Sequence, residues 1–173
     1  AHGSGNVLVD ASVGDGVANA SIVSTTGHIT LKAGNDIEVN ANVDVSTGTP
    51  GTVSLDAEGG NLLMDGSADL TASSSSLRLA ANGDIELGNL SATNVSIIST
   101  AGSILNAGAT TRNVTATNLR IHSSDAIGQA TNHLTIAVDK LSAYSSGSAG
   151  SGIYLTESNG LTVDSVAVTV NEV

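Results

Sequence analysis

The sequence predicts an all-β protein: a right-handed parallel β-helix, or β-solenoid, of about eight coils of roughly 18–24 residues. Three observations carry this expectation. A five-residue strand motif returns along the whole chain, a turn rich in Gly, Asn and Asp follows it, and the apolar residues are almost all aliphatic.

The motif reads aliphatic, any, aliphatic, any, tiny. It begins at Val7, Ile29, Val53, Leu77, Val95, Leu119, Leu141 and Leu161, at steps of 22, 24, 24, 18, 24, 22 and 20 residues. Alternation with period two places positions one, three and five on one face of a strand. The third position holds Val9, Leu31, Leu55, Leu79, Ile97, Ile121, Ala143 and Val163; the fifth holds Ala11, Ala33, Ala57, Ala81, Ser99, Ser123, Ser145 and Ser165. The tiny fifth residue marks a corner where the inward face runs short of space. Positions two and four point outward and are mixed, as in Asp10, Lys32, Asp56, Arg78, Arg120, His122, Ser142 and Asp164. An antiparallel sandwich is the main rival, but hairpins close with loops of about two to five residues and have no need of a fixed period near 22.

The second strand follows the turn. Gly34-Asn35-Asp36 precedes Ile37-Glu38-Val39, and Asn82-Gly83-Asp84 precedes Ile85-Glu86-Leu87, 48 residues later. Glu58-Gly59-Gly60-Asn61 and Ala101-Gly102-Ser103 occupy the same place before Leu62 and Ile104. Gly allows the backbone of a tight corner, and Asn or Asp is the next best choice. A third, weaker strand is expected at residues 21–24, 42–45, 69–72, 113–116, 134–138 and 166–170, with Asn89-Leu90-Ser91 as a shortened version. Each coil is therefore three strands around a triangular tube, and seven steps of about 4.8 Å give a rod on the order of 35 Å long. Length variation is expected to loop out from one corner after the second strand, most of all at residues 145–152, SSGSAGSG. Pro50 belongs in a turn, because it cannot donate to an interior ladder. Val7 and Val9 at one end and Val166, Val168 and Val170 at the other would leave open edges and invite end-to-end self-association.

Composition agrees. The 173 residues include 20 Gly, one Pro, one Met, two Tyr and no Cys, Trp or Phe. A narrow tube filled by stacked aliphatics needs no large rings, whereas a globular core of this size normally uses them. The net charge of −11 disfavours nucleic acid and anionic membrane surfaces. No stretch approaches the roughly 20 apolar residues of a membrane span. Residues 1–5 open with Ala1-His2-Gly3-Ser4, which reads as a tag remnant, and residues 6–173 read as one solenoid, a fragment of a much longer chain.

No catalytic, cofactor-binding or metal-binding residue is expected. His2, His28, His122 and His133 fall at unrelated places in different repeats. There is no thiol and no Gly-x-Ser-x-Gly elbow. Asp10, Asp56 and Asp164 share the motif's fourth position, but Lys32, Ala80, Ile98 and His122 interrupt that column. Glu38 and Glu86 are separated by a whole coil, and Tyr144 and Tyr154 are the only rings that could hold a sugar. The Gly-Gly-x-Gly-x-Asp repeat of calcium-binding rolls is absent, and Thr115-Ala116-Thr117 is a solitary Thr-x-Thr.

Runs such as VSLDAEGGNL from Val53 and LRLAANGDIEL from Leu77 resemble the repeats of filamentous-haemagglutinin-like bacterial exoproteins, and the resemblance extends over residues 6–170. It implies a secreted or surface-anchored right-handed β-helix, the shaft of a large adhesin. The Asn-Pro-Asn secretion module of that family is not seen in this sequence, so an autotransporter passenger stays open. The expectation is a non-catalytic structural or adhesive segment at the bacterial cell surface, whose partners are a host or neighbouring-cell protein or glycan. A carbohydrate-binding or polysaccharide-degrading β-helix module is the alternative.

Overall fold

The computed structural model describes residues 4–10, 21–109, 111–147 and 151–173. Every regular element among them is a strand. In chain order these are β1 (Val7–Val9), β2 (Ser21–Ser24), β3 (Ile29–Ala33), β4 (Ile37–Val39), β5 (Asp44–Thr47), β6 (Val53–Ala57), β7 (Leu62–Met64), β8 (Asp69–Ala81), β9 (Ile85–Leu87), β10 (Asn89–Ser99), β11 (Ile104–Asn106), β12 (Val114–Ser123), β13 (Leu134–Ser145), β14 (Leu155–Glu157) and β15 (Thr162–Val163).

All strand pairings are parallel, and each strand pairs with the equivalent strand one turn away. The result is a β-solenoid of three faces. The first face carries the motif: β3, β6, the second halves of β8, β10, β12 and β13, then β15. The second carries β1, β4, β7, β9 and β11, extended by bridges through Ile127 and Ile153. The third carries β2, β5, the first halves of β8, β10, β12 and β13, then β14. Seven rungs per face are linked by about six turns, fewer than the eight coils the motif suggested. Six steps of about 4.8 Å make the stack about 29 Å tall.

One copy of the motif accounts for the difference, and another keeps its rung but is out of phase. Val7 opens a second-face strand, since Val7 pairs with Ile37 and Val9 with Val39. Alternating aliphatics look the same on both faces, and the tiny residue that would separate them, Ala11, lies outside the described residues. In the last copy Leu141 pairs with Val163, not Leu161. A slip of two residues preserves the facing of every side chain, so alternation cannot reveal it.

The tube is filled as the sequence requires. Val53, Leu77, Val95 and Leu119 stack on one column and Leu55, Leu79, Ile97 and Ile121 on the next; all eight are buried. Ile37, Leu62, Ile85, Ile104 and Ile127 face them from the second side, and Val45, Leu70, Leu90, Val114 and Ile136 from the third. Each contributes roughly 1.5–3 kcal/mol by leaving water. Neighbouring rungs supply most of that cover, so stability accumulates along the stack. At its last rung the cover runs out: Val163 is 76% exposed.

The insertions do not share one corner. Residues 107–113 leave between the second and third faces, and residues 48–52 between the third and first, where Pro50 sits outside any strand. The SSGSAGSG stretch lies between the first face and the second, from Ser145 to the bridge at Ile153, and residues 148–150 lie outside the described set. Variation reaches all three corners because a loop that points outward leaves the stacked strands undisturbed.

The final segment departs most from expectation. Residues 166–170 form no third-face strand. From Asp164, residues 164–173 run back across the outside of the first face towards the opposite end. The Thr52 hydroxyl donates to the Asn171 carbonyl at 2.7 Å, and the Val173 N–H donates to the Thr30 hydroxyl at 3.1 Å. Nine residue steps at about 3.3 Å match the six rungs they cross. Along this strap Val166, Val168 and Val170 are half-buried while their neighbours are exposed.

Candidate functional site

The outward columns show what each face can do. At the corner entering the second face stand Asn6, Asp36, Asn61, Asp84 and Ser103, one per rung. Each of the first four accepts the backbone N–H of the next. Asp36 N–H donates to Asn6 Oδ1 at 3.2 Å, Asn61 N–H to Asp36 Oδ1 at 2.8 Å, Asp84 N–H to Asn61 Oδ1 at 2.8 Å, and Ser103 N–H to Asp84 Oδ1 at 2.7 Å. Gly102 is required beside this ladder, because a Cβ there would stand 2.5 Å from Asp84 Oδ1. These carboxylates hold backbone and leave no cluster for a metal; among the described residues no group of three His, Cys, Asp or Glu comes together in a metal-binding arrangement.

The histidines are likewise placed apart. His28 Nδ1 accepts the Thr52 N–H at 3.1 Å and lies 2.9 Å from the Thr52 hydroxyl. His122 meets Tyr144 edge-on, with ring centroids 4.8 Å apart. His133 Nδ1 lies 3.0 Å from the Thr156 hydroxyl, with Tyr154 alongside. His2 lies outside the described residues. Of the three aspartates read as one column, only Asp56 belongs to it, between Lys32 and Ala80. Asp10 follows a second-face strand, and Asp164 continues from Val163 beside Ser142. Glu38 and Glu86 are separated by Leu63, as the repeat implied.

On the third face, Thr71, Ser91, Thr115 and Ala137 stand on adjacent rungs. They line an open concavity of about 560 Å³, with Arg112 at its edge. Hydroxyls spaced by one rung and one guanidinium could hydrogen-bond a polar chain laid along the rod. Sequence analysis missed this row; its signal is a Thr or Ser returning after 20 and 24 residues. Nearer the amino-terminal end the same face becomes acidic. Burial, reinforced by the Asp69 charge, raises the Asp44 carboxyl above its ordinary value of 3.8.

The first face carries most of the positive charge. Lys32, Arg78, Arg120 and Lys140 all project from it, four of the chain's five cations. Lys32 pairs with Glu58 at 2.9 Å, which raises its pKa. Arg78 bridges Asp56 at 3.4 Å and Glu172 of the strap at 3.1 Å. Lys140 pairs with Asp164 at 3.2 Å where the strap begins; the Ser165 N–H, then Lys140, hold the Asp164 carboxyl below its ordinary range.

Comparison with protein-family models, with characterised proteins and with solved structures finds no match to this chain. Its fold is therefore described by its own geometry, a β-solenoid of about six turns. No helix among the described residues is long and apolar enough to cross a membrane.

Proposed function

We propose that this solenoid is a non-catalytic structural shaft, or adhesive segment, of a larger secreted or surface-anchored bacterial protein of the filamentous-haemagglutinin-like kind. The observation that carries the reading is where the polar side chains go. At the second-face corner they bond the rung above or below, and among the described residues no three His, Asp or Glu side chains come together as a metal site would need. A stack that directs its polar groups into rung-to-rung bonds resists extension and holds distant parts of a chain at a fixed spacing. The acidic surface keeps such a rod soluble. Its partners in this reading are a protein or glycan of a host or neighbouring cell, and exposed rung edges provide for end-to-end self-association.

The test is to incubate the full chain with a panel of neutral and acidic polysaccharides and assay new reducing ends and unsaturated products. The shaft reading expects none, and release of oligosaccharide overturns it. The hydroxyl row of Thr71, Ser91 and Thr115 beside Arg112 favours glycan binding without turnover as a second reading. A glycan array would then show retention that is lost on Arg112→Ala, whereas an array blank for the wild-type chain removes that reading.

A further inference from the structure

The strap lies on a surface shaped for it. Outward positions of a solenoid are normally wet, yet Ser54 is fully buried, Ser96 on the same outward column is 3% exposed, and Ser76 on the outward column beside it is 8% exposed. Small side chains at these places let an extended chain approach the sheet closely. The contacts are specific at the far end: the Ser54 hydroxyl and the Arg78 guanidinium both donate to Glu172 Oε1, at 3.0 and 3.1 Å, and the Asn171 N–H donates to the Thr52 hydroxyl at 3.2 Å. Charge is complementary at both ends, Lys140 with Asp164 and Arg78 with Glu172. The face thus displays a peptide-recognition surface with its ligand in place: an extended segment of alternating valines between two acids.

The strap leaves the sheet directly after β15: the Asp164 N–H still donates to the Leu141 carbonyl at 3.0 Å, and the chain departs from the ladder at Ser165. Beyond Asp164, no backbone ladder to the described residues ties the strap down; bonds to or from side chains hold it. A segment held this way can exchange without unfolding the rungs beneath.

We propose that the outward surface of the first face is a docking groove for an extended Val-x-Val-x-Val segment flanked by acids, and that residues 164–173 of a second copy of this chain occupy it in trans. Lateral pairing of two rods by reciprocal exchange follows, which is distinct from joining them end to end. The same bonds form in either arrangement, so the closed monomer and the exchanged dimer differ mainly in the entropy of association and in the backbone path where the strap leaves the sheet, at Asp164 and Ser165.

Two full-length variants test this. In the first, Val168→Asp and Glu172→Arg disable the strap and leave the groove intact. In the second, Ser54→Arg and Ser96→Arg fill the groove and leave the strap intact. Each alone should be monomeric by light scattering, with a cooperative melt. Mixed, they should give a species of twice the monomer mass that weakens as salt is raised. Two folded variants that stay monomeric when mixed at high concentration overturn the proposal. If the groove variant fails to fold, a dye-labelled peptide of residues 164–173 decides. It should bind the strap-disabled chain at least tenfold more tightly than it binds the wild type, and adding Arg78→Ala to the strap-disabled chain should abolish most of that gain. Absence of binding to the folded strap-disabled chain, or equal binding to both chains, overturns the proposal.

Discussion

The corner between the first and second faces is built differently in the two halves of the rod. In the first half the tiny residue is Ala33, Ala57 or Ala81, a methyl group with no bond to offer. Rungs there are joined across the turn by the ladder of Asn6, Asp36, Asn61 and Asp84. In the second half that ladder fades, because its positions become Ser103, Ala126 and Gly152. The tiny residue becomes Ser99, Ser123 or Ser145 instead, and each hydroxyl donates to a turn carbonyl of the preceding rung: Ser99 to Gly83 and Ser123 to Gly102, both at 2.7 Å, and Ser145 to Asp125. Two side-chain chemistries serve one geometric need. Parallel turns stacked rung on rung leave backbone groups that the strands cannot reach, and some side chain must take them.

The third face changes in parallel. Asp44 and Asp69 in the first half give way on the same column to Asn89, then Asn113. Asn113 is fully buried; its amide donates to the Leu87 carbonyl at 2.8 Å, and its carbonyl accepts the Thr135 N–H at 2.9 Å. Asp44 has the opposite circumstance, a partly buried charge beside another of the same sign.

The largest expected effect tests whether the halves form one unit. Leu55→Asp in the first half and Ile121→Asp in the second each place an unpaired charge in the aliphatic tube, at a cost of about 3–5 kcal/mol. Urea unfolding followed by circular dichroism should show both variants destabilised, each in a single transition. Two transitions in either variant would mean that the halves fold separately.

Removing a ladder acceptor comes next. Asp36→Ala leaves the Asn61 N–H without its acceptor and should cost about 1–2 kcal/mol, whereas Asp36→Asn keeps the oxygen that Asn61 itself uses one rung on, and should cost less than half as much. The matching change in the second half, Ser123→Ala, removes the bond to Gly102 and should cost about 1 kcal/mol. Equal stability of Ser123→Ala and the wild type would show that the hydroxyls do not take over the ladder's role.

The smallest effect concerns pH. The folded pKa of Asp44 is raised, so the folded state takes up a proton more readily than the unfolded chain. Its contribution is unfavourable at neutral pH and disappears as pH falls through the raised value towards 3.8. Asp44→Asn should therefore melt slightly higher than the wild type at pH 7, and the two melting curves should converge below about pH 3.8. An offset that does not change with pH would assign the effect to something other than this charge.

Much of this was legible in the chain. The period near 22, the aliphatic alternation and the glycine turns together predict parallel stacking, and the inward columns from Val53 to Ile121 lie where alternation puts them. Less legible was phase. The pattern at Val7 fits two faces equally, and the slip at Leu161 leaves every facing unchanged, so local pattern carries no information about either. The concavity on the third face was hidden because Thr71, Ser91 and Thr115 are unremarkable singly and become a row only when the rungs align.

By itself, the sequence determined that this chain stacks parallel strands into a tube, because a two-residue period inside a near-constant long period has one economical way to bury its aliphatics. Only the tertiary structure decided which rung is the last and where the chain goes after it. Val166, Val168 and Val170 alternate like any other strand, and alternation specifies a face to cover without naming the partner. The partner was set by the small, cationic outer surface that six turns of stacking had assembled.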